Sequence, residues 1–184
     1  CPFITSPPAD MKEWDSLIDD FTRHLISRYT LEEVKQWPFT VWNEPVTSKK
    51  MFGFGDDALF FRFYKHTYDT VKRLCPEIQF GSPSMLYIEN LGNADWIYRF
   101  IGWCREQSCM PDFMNIHYYA DIILPTSSDD FFLTKATASC FPKATDDFSL
   151  FIGGIKKIFK TLGVQDKPVY MTEWNFTMSH RNLI

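Results

Sequence analysis

Two glutamates stand out for the chemistry they could do together. Glu44 lies in Trp42-Asn43-Glu44-Pro45 and Glu173 in Thr172-Glu173-Trp174-Asn175. Each follows a short apolar run and is flanked by aromatic and amide side chains. Two carboxyl groups about 5–5.5 Å apart, one protonated and one ionised, are what a retaining displacement at a glycosidic carbon requires. The ionised member attacks the sugar while the other protonates the departing oxygen. Charge on Glu173 disfavours a second charge on Glu44, which keeps that proton in place. Once Glu173 is consumed as a glycosyl ester, the repulsion vanishes and Glu44 can activate water. Either glutamate alone could equally cap a helix or pair with an arginine. Their matched surroundings favour the catalytic reading.

The elements that must position them follow from hydrophobic spacing. Met11, Trp14, Leu17, Ile18, Phe21, Leu25, Ile26 and Tyr29 recur at the three-and-four spacing of one helical face, predicting a helix over 11–29. Thr30-Leu31-Glu32-Glu33 reads as a capping box opening a short helix that ends near Pro38. Further helices are expected over 57–74, stopped by Pro76, over 93–107, and over 147–162, stopped by Gly163. Short apolar strands are expected at 39–43, 78–81, 113–118 and 168–172. The stretch 119–146 has little periodicity and reads as a long loop. Alternation of helices with short apolar strands is the signature of a parallel sheet buried by helices. In such folds chemistry collects at the C-terminal strand edge, where both glutamates are expected.

Composition narrows the partners. The 184 residues, 45% hydrophobic and 23% charged, are enough for one domain over 1–184 with a sizeable core. The net charge of −4, with both signs interspersed, leaves no basic footprint for nucleic acid. No apolar run has the roughly 18–20 residues of a membrane span, and no leader peptide is visible. The aromatic fraction of 17% suits the flat C–H faces of sugar rings, although most of these rings must be core. Cys1, Cys75, Cys104, Cys109 and Cys140 form an odd set without framework or metal-site spacing. They read as free thiols in a reducing compartment, so the expected location is cytoplasmic, and no metal or organic cofactor is expected.

The two glutamate motifs, taken with Arg23-His24-Leu25-Ile26-Ser27-Arg28-Tyr29, Gly81-Ser82-Pro83, Asp112-Phe113 and His117-Tyr118-Tyr119, resemble glycoside hydrolase family 39 over about residues 10–176. That family comprises β-xylosidases and α-L-iduronidases on a (β/α)8 TIM barrel. The resemblance implies Glu44 as acid/base, following barrel strand four, and Glu173 as nucleophile, following strand seven. It implies Asn43 as the amide bonding the sugar 2-OH, with His117 and Tyr119 lining the glycone pocket and Tyr119 bonding the nucleophile. Trp42 and Trp174 are expected in the core or behind the site. The loop after Pro45 departs from the family, and Phe52 or Phe54 could replace its missing aromatics. By this resemblance the chain holds only about strands four to seven, a partial barrel, since a whole one takes ~250 residues. Open sheet edges would then favour a homo-oligomer, and a strictly monomeric species in sedimentation would count against that. The implied activity is hydrolysis of a terminal β-xyloside. Other hydrolases of the same clan (α-L-iduronidase, arabinofuranosidase, endoglucanase) are the alternative, as is a non-catalytic carbohydrate-binding fragment.

Overall fold

In a computed structural model, residues 6–45, 52, 55–86, 93–119 and 144–175 are described. Helix α1 (Met11–Tyr29) is opened by Asp10, whose carboxylate accepts the Lys12 N–H. Thr30 closes α1 and opens α2 (Leu31–Val34), its hydroxyl accepting the Glu33 N–H. The other arm of the expected capping box is missing, because Glu33 instead accepts from the Trp37 indole at 3.1 Å. Helix α3 (Asp57–Leu74) is capped by Asp56 and buries Phe60, Phe61, Phe63, Tyr64 and Val71. Helices α4 (Asn93–Glu106) and α5 (Ala144–Leu162) follow. Gly163, at φ +66°, ends α5 as expected, and Arg105 of α4 donates to the last-turn carbonyl of Leu162.

The strands are β1 (Pro38–Phe39), β2 (Gln79–Phe80), β3 (Met85–Leu86), β4 (Met114–Tyr119) and β5 (Val169–Asn175). All pairings are parallel: β1 with β2, β3 with β4, and β4 with β5. An isolated bridge, Asn43 to Ser84, continues the first pairing beyond β1. The Ser82 N–H donates to Phe113 O at 3.0 Å, which ties the segment between β2 and β3 to β4. The result is four chain segments side by side in sequence order. Among the described residues the sheet does not close on itself.

Helices cover one face. Trp14 of α1 packs on Phe63 and donates its indole N–H to Thr67 of α3 at 2.9 Å. Asp57 of α3 accepts from Trp96 and Arg99 of α4. The core runs through Phe60, Phe63, Tyr64, Phe80, Trp96, Phe100, Met114, Ile116, Ile155 and Phe159. Several sequence expectations need correction. The 39–43 strand is cut short because Trp42 takes φ +68°, which breaks the extended ladder. Strand β3, masked by the turn-like Gly81-Ser82-Pro83-Ser84, was not anticipated. The 168–172 strand continues to Asn175, so Glu173 lies inside it rather than at its end. The loop expected over 119–146 loses Tyr119 to β4 and 144–146 to α5; its remainder, 120–143, lies outside the described residues. The face expected for α1 is only partly used, with Leu17 58% and Phe21 51% exposed.

Candidate active site

Glu44 ends a segment whose backbone is unusual. Trp42 and Glu44 both have positive φ, +68° and +45°, a region that non-glycine side chains rarely occupy. Two supports hold it there. The Trp42 ring meets Phe52 and Phe63 edge-on at 4.9 and 6.0 Å, and the Glu44 N–H donates to Ser84 O at 3.0 Å. The carboxylate is thereby turned inward, leaving Glu44 only 6% exposed.

Strand β4 supplies the centre. His117 is 1% exposed, and its Nδ1 lies 2.7 Å from Glu44 Oε1 and 3.5 Å from Glu173 Oε2. Its other nitrogen, Nε2, is buried and has no hydrogen-bond partner among the described residues. Two residues along, on the same face, the Tyr119 hydroxyl donates to Glu173 Oε2 at 2.8 Å. One oxygen from each glutamate and His117 Nδ1 all lie within 4.8 Å of one another. Two carboxylates and an imidazole are a donor set a divalent cation could use. The imidazole and Glu44 are joined by a direct 2.7 Å hydrogen bond. The same contacts suit proton exchange between the imidazole and a carboxyl group.

The structure thus brings Glu44, Glu173, His117 and Tyr119 together. Asn43 is one residue away, its backbone paired to Ser84 and its side chain exposed. Trp174, expected in the core or behind the site, is 69% exposed. Phe52, a candidate pocket aromatic, is instead buried against Trp42, Phe60 and Phe63. Phe54 lies outside the described residues. Beneath the cluster runs a polar layer that the sequence reading missed. Thr172 donates to Asn115 Oδ1 at 2.6 Å, and Asn115 Nδ2 donates to Ser84 Oγ at 2.9 Å. The Asn115 N–H donates to Ser82 Oγ at 2.9 Å, and Thr40 donates to Ser82 O at 2.7 Å. No local signal in the sequence marks it, because its bonds join residues far apart along the chain.

Comparison with known proteins decides the family. The family model for glycosyl hydrolases family 39 matches residues 4–183. The chain belongs to this family. A β-xylosidase of Caldicellulosiruptor saccharolyticus is 32% identical over 178 residues, covering 96% of this chain and 33% of that protein. A β-xylosidase of Geobacillus stearothermophilus is 27% identical over 180 residues, covering 96% of this chain and 33% of its own length. Among solved structures, a GH39 enzyme from Xanthomonas axonopodis pv. citri superposes with a TM-score of 0.65 at 26% identity, covering 94% of this chain and 32% of that one. This family 39 chain therefore spans about a third of the length of the relatives it matches.

Proposed function

We propose that this chain carries the catalytic pair of a retaining glycoside hydrolase acting on terminal β-xylosides, with Glu173 as nucleophile and Glu44 as acid/base. The observation that carries the reading is the convergence of both carboxylates on one imidazole, with one oxygen of each and a ring nitrogen all within 4.8 Å of one another. Retaining enzymes keep their carboxyl groups about 5–5.5 Å apart, whereas inverting ones leave roughly 6.5–9.5 Å for a water. The sugar preference is supported by the β-xylosidase relatives. In the first step Glu173 attacks the anomeric carbon as the Glu44 proton passes to the leaving oxygen, which gives a glycosyl ester and a free alcohol. In the second, Glu44 takes a proton from water, the water oxygen attacks the same carbon, and Glu173 departs as carboxylate. Tyr119 holds the attacking oxygen of Glu173 in line, and His117 spaces the two carboxyl groups. Asn43 bonds the sugar 2-OH.

The segment serves as strands four to seven of a (β/α)8 barrel within one domain. Its four parallel segments in chain order, and a core shared by all the helices, support that reading. The test is nitrophenol release from a panel of aryl glycosides, beginning with the β-xyloside, by wild type and Glu173→Gln. Turnover lost in the variant is the expected result. Equal turnover in both would remove Glu173 as nucleophile.

A further inference from the structure

Strand β5 contains one residue more than its partner across the site. Met171 pairs with Ile116 and Glu173 with His117, so Thr172 has no opposite number on β4. Residues paired in register share a face of the sheet, and faces alternate along each strand. In an uninterrupted ladder Thr172 would sit opposite His117, and Glu173 would sit opposite Tyr118. Tyr118 faces helix α5, against Phe148 and Phe151 at ring distances of 5.0 Å. The Glu173 carboxylate would then enter an apolar layer, away from His117 and Tyr119. The extra residue resets the alternation and turns Glu173 toward the site, a known use of β-bulges.

We propose that Thr172 and Asn115 are positioning residues that hold this bulge and, through it, the nucleophile's aim. The inference rests on the reading of Glu173 as nucleophile. The Thr172 hydroxyl donates to Asn115 Oδ1 at 2.6 Å, and Asn115 is itself buried at 1% exposure. Asn115 Nδ2 passes the connection to Ser84 Oγ, and the carbonyl of Ser84 receives the Glu44 N–H. One hydrogen-bonded line thus runs from the bulge beneath Glu173 to the backbone beneath Glu44. It fixes the two carboxylates relative to each other without touching the sugar.

The test compares Thr172→Val and Thr172→Ser with wild type. Valine is well tolerated on an exposed strand, and melting temperatures are followed in parallel. The readout is covalent labelling of Glu173 by an activated 2-fluoro-β-xyloside, measured by mass spectrometry. A displacement near 1 Å can cost about a hundredfold, so Thr172→Val is expected to slow labelling roughly 10- to 100-fold with the reagent's half-saturation little changed. Thr172→Ser, which keeps the hydroxyl, is expected to label near the wild-type rate. Unchanged labelling in Thr172→Val, or equal loss in both variants, overturns the proposal. If wild type itself is not labelled, it is the proposed active site that fails to work in this chain, not the bulge. The ¹⁵N shifts of the His117 ring then decide the positioning claim without turnover. They should move in Thr172→Val and return in Thr172→Ser, and shifts identical in all three proteins would refute it.

Discussion

Replacing Gly81 by alanine is expected to destabilise the protein through a single ring. A methyl group at this position would lie 2.6 Å from Phe113 Cδ2 and closer still to Cε2 and Cζ. Ordinary carbon contacts are about 3.5–4.0 Å, so the ring must retreat by roughly 1 Å or more. It has little room to do so. Phe113 is buried and meets the Tyr170 ring edge-on at 4.8 Å, and its carbonyl is held by the Ser82 N–H. Position 81 is held as well, since its N–H donates to Phe39 O at 2.8 Å. Overpacking of this kind costs about 1–3 kcal/mol. For a chain of this size that is a fall in melting temperature of roughly 2–12 °C, at about 2–4 °C per kcal/mol. Urea and thermal unfolding followed by circular dichroism would measure it. The origin is checked in a Phe113→Ala background, where space is available. There the alanine at 81 should add no more than a few tenths of a kcal/mol, giving a coupling of about 1–3 kcal/mol. A Gly81→Ala loss below about 0.5 kcal/mol, or a penalty undiminished in the Phe113→Ala background, would refute the reasoning.

Other perturbations separate the site's parts. Glu44→Ala should slow hydrolysis of xylosides with poor leaving groups about 10²–10⁴-fold. A dinitrophenyl leaving group needs no proton and should retain its first step, with azide restoring turnover as xylosyl azide; no azide product would argue against Glu44 as acid/base. Tyr119→Phe removes the 2.8 Å hydrogen bond to Glu173. Hydrogen bonds to charged groups are worth about 1.5–3 kcal/mol, so kcat should fall roughly ten- to a hundredfold, and an unchanged kcat would place the tyrosine outside the reaction. At alkaline pH, burial and then the Asp112 charge push the Tyr68 phenol up from 10.0 to about 12. An acid with a raised folded-state value keeps its stabilisation below the unfolded value and loses it as pH rises. Stability should therefore decline between about pH 10 and 12, and Tyr68→Phe should flatten that decline in urea titrations.

The helices were legible because each carries an apolar stripe at helical period, and stops such as Pro76 and Gly163 mark the ends. Which part of a stripe is buried was not legible. On α1, Trp14 and Ile18 pack on the core while Leu17 and Phe21 of the same stripe are exposed, because burial depends on where the neighbouring helix lies. Strand lengths were misread where backbone geometry overrides propensity. Trp42 is a good strand residue by type, yet its left-handed backbone interrupts β1 and costs energy that its contacts with Phe52 and Phe63 offset. The segment after Gly81 reads as a turn because Ser and Pro disfavour strands. Here Ser82 and Ser84 use backbone and hydroxyl groups together to continue the pairing. Glu44, His117, Tyr119 and Glu173 were legible through their motif. The layer of Thr172, Asn115 and Ser84 was not, since its hydrogen bonds join residues 31 and 57 positions apart with no local pattern.

The two glutamates arrive on elements with very different support, and this explains why the site centres on the strand between them. Glu44 comes from a strained turn just past a two-residue strand. Glu173 comes from β5, most of whose residues are exposed. Strand β4 is buried along nearly its whole length and is paired on both sides. Rigid, packed elements hold a side chain more closely than exposed ones. His117 and Tyr119 project from that strand toward the flanking carboxylates, while the Asn115 amide bonds the hydroxyls of Ser84 on one flank and Thr172 on the other. A shift of either flank relative to β4 would break contact with the same imidazole nitrogen. The separation of the pair is therefore set by one well-packed strand measuring outward in both directions, and neither flank has to be rigid by itself.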